Sequence, residues 1–430
     1  MTFTTYRDTL DYLYAQLPMF TRVGASAYKE DLTNTLALCQ RLGNPERKFR
    51  SIHIGGTNGK GSTSHMLAAI LQTAGYKTGL HTSPHLKDFR ERIRINGQMI
   101  TEQAVVDFVN LYQDLFESLK PSFFEATVAM AFDCFAKEQV DIAIIEVGLG
   151  GRLDSTNVIS PLLAIITNIG LDHMNILGNS LPEIALEKAG IIKPGIPAII
   201  GESHPETKIV FEQKAQETKS PISFASGDWE IMTLGKREYL KLKASNLKNG
   251  EALELELDLT GSYQLKNLPA VLSAVAELRK QGFNISNEHI QAALKQVKNL
   301  TGLMGRWQTL RTHPLVICDT GHNEDGIKEV LKNIAATPHE NLHFVLGMVK
   351  DKDITKILSL LPKEAHYYFC QPDIPRAKPV RELTNEAAAL GLSGESHSSV
   401  KQAYETALNK ATSNDLIFIG GSTFVVAEVV

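Results

Sequence analysis

Apolar positions recur along this chain at two alternating periods. After a helical opening, Thr4 to Leu17, the segments Phe49 to Ile54, Lys77 to Thr82, Asp141 to Val147 and Leu162 to Ile169 read as strands. Between them, Ser62 to Ala74 and the stretches that begin at Thr101 and Ser122 carry apolar residues at helical spacing, and Gly75 stops the first of these. Runs such as Ile142 to Ile145 and Leu162 to Ile166 have no polar side. That suits strands covered on both faces, so the expected core is a parallel sheet with helices above and below it. From Trp229 to Leu259 the period drops to two, with Glu251 to Leu259 alternating after the turn pair Asn249 and Gly250, which predicts a small antiparallel addition at the sheet edge.

Helical patterns near Gln264 to Gln281 and Ser286 to Val297 follow, and then the segment 299–305 holds two glycines and no apolar period. From Pro314 a second series begins: strands Leu315 to Asp319, Leu342 to Leu346, His366 to Cys370 and Leu416 to Ile419, with helices from Asn323 and Ile354. The expected fold class is α/β in two domains, 1–298 and 306–430, joined by a linker at 299–305. A ligand site is expected in the cleft between them, at the carboxyl ends of the strands.

The turn after Ile54 reads Gly55, Gly56, Thr57, Asn58, Gly59, Lys60, Gly61, Ser62 and precedes a helix. Glycines let backbone N–H groups approach phosphate oxygens, a helix N-terminus adds partial positive charge, and Lys60 is placed to reach the β and γ phosphates. ATP or GTP is the expected ligand. The usual spacing G-x-x-x-x-G-K-[ST] is varied, because Gly61 separates the lysine from the hydroxyl.

Composition narrows the partner. With 430 residues, 43% hydrophobic and 21% charged, the chain is long enough for two or three apolar cores. Its net charge is 44 − 48 = −4 with both signs interspersed, so small-molecule chemistry is expected rather than nucleic acid or an anionic membrane. Cys39, Cys134, Cys318 and Cys370 form no C-x-x-C and read as ordinary thiols, not as zinc ligands or disulfides. Arg7, Asp8 and Asp11 fall where a signal peptide would be apolar, and no run of about 18 apolar residues exists. A soluble, cytoplasmic, monomeric protein is expected.

Other strand ends carry candidate chemistry. Glu146 closes the strand Asp141 to Val147 ahead of the glycine-rich loop Gly148 to Asp154, where a carboxylate facing phosphates would pair with the Ser62 hydroxyl on Mg²⁺; a solvated strand-end glutamate is the alternative. Ser83, with Arg90 and Arg92 behind it, is either a metal and anion loop or an ordinary turn. Asp172 and His173 bring a carboxylate and an imidazole to the same edge. Lys188, in the last turn of a helix ending at Gly190, reads by position as a solvated cation complementing the helix dipole. In the second series, Asp319 to Asn323 and Leu346 to Asp353 are strand-to-helix loops, and Arg306 follows the linker where an arginine can swing onto a phosphate.

Taken together, GTNGKGS at 56–62, HTSPH at 81–85, FRERI at 89–93, SFFE at 122–125, EVGLGGRLD at 146–154, LDH at 171–173, EKAGIIK at 187–193, GRWQ at 305–308, HN at 322–323 and DKD at 351–353 resemble the folylpolyglutamate synthase and dihydrofolate synthase branch of the Mur ligase superfamily. The resemblance implies a Mur-ligase-like architecture: an N-terminal P-loop ATPase domain and a smaller Rossmann-like C-terminal domain. It implies an ATP-dependent amide ligase that joins L-glutamate to dihydropteroate, to folates, or to both, through an acyl phosphate. By the same resemblance Asn58, Gly59, Lys60, Gly61, Ser62, Asn267, Arg306 and Asp319 serve ATP; Ser62, Ser83 and Glu146 serve one Mg²⁺; and His173, Glu146 and a carbamylated Lys188 serve a second. Phe124 and Asp154 fall in segments resembling the pterin site, and His322 and Ser422 lie near the glutamate. Lys60, His173 and Lys188 are the expected catalytic residues. The alternatives are a UDP-muramyl-peptide type Mur ligase and a non-catalytic nucleotide-binding protein.

Overall fold

The computed structural model describes residues 2–19, 31–350 and 354–430; the DKD segment at 351–353 lies outside the described residues. The chain divides into two compact units, Met1–Asp258 with Gln264–Leu303, and Leu259–Tyr263 with Met304–Val430. Within the segment 299–305, residues up to Thr301 finish a short helix, Val297–Thr301.

The first unit is built on an eight-stranded sheet. Its strands are β1 (Arg50–Gly55), β2 (Thr78–His81), β3 (Ile93–Ile95), β4 (Gln98–Met99), β5 (Ile142–Glu146), β6 (Leu163–Ile166), β7 (Ala198–Ile200) and β8 (Ile222–Phe224), in the order β4-β3-β2-β5-β1-β6-β7-β8. From β2 to β8 all pairings are parallel, and β3 and β4 add an antiparallel hairpin at one edge. β1 lies between β5 and β6 with Ile54 opposite Glu146 and Gly55 opposite Ile166. That register brings the loops after β1, β5 and β6 to one edge of the sheet.

The expected helices form, with ends set by local capping. Thr101 and Ser122 accept hydrogen bonds from the third residue of their helices, Glu102–Leu119 and Phe123–Lys137. Glu125 returns the bond to the Ser122 N–H, which completes a capping box. Phe132, Phe135, Ala143 and Ile145 join one apolar cluster on this side of the sheet, and Val147, Ala164, Ile166 and Ala185 join another.

Several short strands leave no mark in the apolar pattern. β3 and β4 turn at Asn96 and Gly97, both with positive φ, and with β7 and β8 they span two or three residues each, too few for a period to register. The alternating segment after residue 229 is also placed differently from the expectation. β9 (Trp229–Lys236), β10 (Leu240–Asn246) and β11 (Ala252–Leu257) form a separate three-stranded antiparallel sheet, not an edge addition to the large one.

The second unit carries six strands: β12 (Gln308–Thr312), β13 (Leu315–Cys318), β14 (Leu342–Leu346), β15 (His366–Cys370), β16 (Gly394–His397) and β17 (Leu416–Gly420), ordered β12-β13-β17-β14-β15-β16. Only β12 pairs antiparallel. Alternate residues of one strand enter different cores: Phe344, Leu346, Tyr367 and Phe369 pack on one side, Val345, Tyr368 and Cys370 on the other. Burial on both faces is why these strands read as continuous apolar runs. β12 and β16 escape the sequence pattern because they lie at the edges and are largely exposed.

Candidate active site

The glycine turn is held from beneath. Thr57 N donates to Asn168 O at 2.9 Å, Asn58 N donates to Asn168 Oδ1 at 2.8 Å, and Thr167 Oγ1 donates to Asn58 O at 2.6 Å. These braces come from the segment after β6, which is shorter than its expected span to Ile169; the freed residues wrap the turn instead. Two glycines are obligatory for close approach. At Gly56, φ +138°, a Cβ would stand 1.9 Å from Thr167 Oγ1, and at Gly59, φ +87°, it would stand 2.2 Å from Asn267 Oδ1. Gly56→Ala should therefore destabilise the first unit by about 3 kcal/mol. Urea unfolding measures this, and an unchanged midpoint would mean that the turn relaxes freely.

The helix begins at Lys60, two residues before the expected start, so Lys60, Gly61 and Ser62 form its first turn. No side chain caps that N-terminus, which leaves it with the geometry of an anion cradle. Lys60 Nζ donates to Gly56 O and Thr57 O, each at 3.1 Å, and so already lies against the turn. Ser62 is buried and its Oγ accepts from Gln264 Nε2 at 3.0 Å.

Beside this cradle, β5 delivers Glu146, which is buried rather than solvated, and its Oε2 accepts from Ser83 N at 3.2 Å. Among the described residues no group of three or more His, Cys, Asp or Glu is arranged to hold a metal ion by itself. One buried carboxylate and a serine hydroxyl with a single partner fit a hard divalent cation that shares its coordination with phosphate oxygens. His173 adopts a left-handed backbone, φ 51°, at the start of the short helix Met174–Leu177, and its imidazole is about one-quarter exposed.

Lys188 departs most from its reading by position. The residue is 4% exposed, and Nζ donates to Gly56 O at 3.0 Å, so it touches the same carbonyl as Lys60. Burial, reinforced by the neighbouring Lys60 charge, pushes its ammonium down to about 7; Asp172 and Asp154 act in the opposite sense. A lysine at that value presents a substantial fraction of neutral, nucleophilic amine near pH 7.

The loop after Glu146 is glycine-rich for a reason other than phosphate approach. A Cβ on Gly151 would meet Glu187 O at 2.8 Å and Lys188 Cα at 2.9 Å, and one on Gly148 would meet the Phe124 ring at 2.5 Å. These glycines let the loop lie on Phe124 and on the helix Leu181–Ala189. Arg152 fastens it, with N donating to Glu187 O at 2.7 Å and Nη2 to Glu187 Oε1 at 2.8 Å. Asp154 is buried and braces the loop: Leu149 N, Thr156 N and Thr156 Oγ1 all donate to its carboxylate. His53 contacts Thr156 Oγ1 from β1 at 2.8 Å. Burial raises the Asp154 pKa, and those hydrogen bonds oppose the rise.

In the second unit, Asp319 follows β13 fully enclosed and accepts from Tyr263 OH at 2.6 Å, Trp307 N at 2.7 Å and Gly321 N at 2.8 Å. Burial raises its pKa as well. Arg306 donates from Nη1 to Thr320 Oγ1, and the His322 ring lies 2.9 Å from Thr320 O. Ser422, after β17, is buried and caps the helix Thr423–Ala427 by accepting from Phe424 N at 3.2 Å. The structure thus gathers Arg306, Asp319 and His322 around Thr320 and gives Ser422 a capping bond. In the first unit it gathers Lys60, Ser62, Asn267 and Lys188 around the glycine turn, with Glu146 on the adjacent strand.

Comparison with known protein families decides what this arrangement belongs to. The Mur ligase middle domain matches residues 54–275, and the Mur ligase, glutamate ligase domain matches residues 305–423. A dihydrofolate synthase/folylpolyglutamate synthase of Bacillus subtilis is 33% identical over 443 residues, 99% of each chain. The chain belongs to the folylpolyglutamate synthase/dihydrofolate synthase family of Mur ligases. Two solved members agree in fold. Escherichia coli FolC in complex with DHPP and ADP superposes with a TM-score of 0.86 at 30% identity, covering 99% of this chain and 97% of that one. The Yersinia pestis bifunctional folylpolyglutamate synthase/dihydrofolate synthase, complexed with AMPPNP and Mn ion, gives 0.84 at 28%, with 99% and 97% covered. Membership makes this chain an ATP-dependent ligase, and its named relatives are folate-branch enzymes rather than muramyl-peptide ligases.

For this family member, sequence reasoning missed the residues that hold the cradle from outside the glycine turn. Thr167, Asn168 and Gln264 lie more than a hundred positions from their partners in the turn and first helical turn. A Thr-Asn pair directly after an apolar strand, at the same edge as the cradle, is the signal that points to Thr167 and Asn168; none points to Gln264. No helix among the described residues is long and apolar enough to cross a membrane.

Proposed function

We propose that this chain is a bifunctional folate-branch ligase, joining L-glutamate to 7,8-dihydropteroate and to reduced folates and their polyglutamates with cleavage of ATP. The observation that carries the reading is a single sheet edge, where the uncapped helix N-terminus with Lys60 and the buried Lys188 adjoin the same glycine turn and the buried Glu146 ends the adjacent strand. A monomeric cytoplasmic enzyme is part of the proposal. Its relatives support the substrates: one is crystallised with DHPP and ADP, another with Mn, AMPPNP and L-glutamate.

In this reading the acceptor's carboxylate oxygen attacks the γ-phosphorus of ATP, and ADP leaves. The glutamate amine then attacks the acyl carbon, loses a proton, and inorganic phosphate departs. Backbone N–H groups of Gly59 to Ser62 and the Lys60 ammonium hold the triphosphate and meet the charge that develops on the transferred group, while the Asn58 N–H braces the turn through Asn168 Oδ1. Ser62, Ser83 and Glu146 would hold one Mg²⁺, with Glu146, His173 and Lys188 at a second. Mg²⁺, when bound, neutralises crowded phosphate oxygens. Lys188 enters that set as a carbamate, formed when its neutral amine adds to CO₂ and releases a proton. Asn267, Arg306 and Asp319 are assigned to ATP, and His322 and Ser422 to the incoming glutamate. Phe124 offers a ring face to the pterin, and Asp154 fixes the loop beside it.

Phosphate release from ATP with L-glutamate tests the proposal, with 7,8-dihydropteroate and tetrahydrofolate compared as acceptors. Turnover with both is expected. Turnover with tetrahydrofolate alone would confine the enzyme to polyglutamylation, and silence with both would overturn the substrate assignment.

A further inference from the structure

Gln264 is fully buried in the first turn of the helix Gln264–Lys280, and its side chain is polar at both ends. Its Oε1 accepts from Asn267 Nδ2 at 2.8 Å. Only Nε2 therefore faces Ser62, donating to Oγ at 3.0 Å. Among the described residues Ser62 makes no other side-chain hydrogen bond. Its one accepted bond occupies a lone pair, so the hydroxyl proton is not aimed at Gln264, and among the described residues the proton and the second lone pair have no side-chain partner.

We propose that Gln264 is a positioning residue that sets the Ser62 hydroxyl for metal-bound nucleotide. An amide that donates to Oγ holds the rotor so that the remaining lone pair faces a cation and the proton faces a phosphate oxygen. The Asn267 amide fixes the sense of the relay, and Asn267 also lies against Gly59, so one helical turn sets both the backbone and the hydroxyl of the cradle. This rests on the reading of Ser62 as a ligand to Mg²⁺.

Nucleotide affinity measured by calorimetry, without turnover, separates the possibilities. The quantity is the Mg²⁺ enhancement, the ADP dissociation constant in EDTA divided by that in saturating Mg²⁺. Gln264→Met should lower the enhancement by about tenfold while leaving the EDTA value within about threefold, the size expected when a hydrogen bond at a charged site is lost. Ser62→Ala should lower the enhancement at least as far, and the double variant should lose no more of it than Ser62→Ala alone, because the two act through one hydroxyl. If Gln264→Met does not fold, Gln264→Asn keeps the amide but is one methylene too short to reach both partners, and the same loss is expected. A folded Gln264 variant with wild-type enhancement, whatever its melting temperature, would overturn the proposal and leave the Ser62 reading intact. No enhancement in the wild-type protein would overturn both.

Discussion

Lys60→Ala is expected to lower phosphate release by at least about 10³-fold while unfolding stability stays within about 0.5 kcal/mol of wild type. The asymmetry follows from what Lys60 touches. Among the described residues its Nζ bonds only to carbonyls of its own turn, Gly56 and Thr57, and the side chain is partly exposed, so little packing is lost with it. Negative charge that builds on a transferring phosphoryl group, by contrast, has few positioned cations to meet it. Steady-state phosphate release alongside a urea melt is the check. Near wild-type turnover would remove Lys60 from the chemistry, and a collapsed melt would make it a structural residue.

Lys188→Ala should fall by about 10²- to 10³-fold in turnover, as expected when one ligand-orienting group is lost from a catalytic centre. Added acetate or propionate should restore part of that activity. The proposed carbamate differs from these acids chiefly in its tether, so a small carboxylate that enters the space left by the side chain would supply the same two oxygens. Lys188→Arg should be as inactive as the alanine variant and should not respond to added acid, because guanidinium keeps the charge, fills the space and does not react with CO₂. A fully active arginine variant would reduce Lys188 to a buried cation serving Gly56 O, its hydrogen-bond partner at 3.0 Å.

Much of the candidate site is legible in the order of the amino acids, for reasons that can be traced to particular residues. Glu146 reads as a strand-end residue because Ile142 to Ile145 are apolar on both sides, and the structure ends β5 at Glu146. The cradle is legible because glycine spacing, a preceding strand and a following helix are all local. Position misleads at Lys188, because a lysine in a last helical turn is ordinarily solvated. The side of the helix Leu181–Ala189 that carries it is covered by a loop containing Gly151, thirty-seven positions earlier, and no local period encodes that cover. Asp154 and Ser422 read as ligand-binding residues, and both also serve as caps: Thr156 N donates to Asp154, Phe424 N to Ser422.

By itself the sequence determined the alternation of strands and helices, the two α/β series, the phosphate cradle and the family resemblance, because each rests on periodicities or motifs contained within about twenty residues. Tertiary structure alone decided the strand order that sets β5 and β6 on either side of β1, the separate three-stranded sheet, and the bracing of the cradle by Thr167, Asn168 and Gln264. It also decided that Lys188 is buried beside Lys60. Those features depend on contacts between residues far apart in the chain, where burial and partner geometry set hydrogen bonding and protonation together.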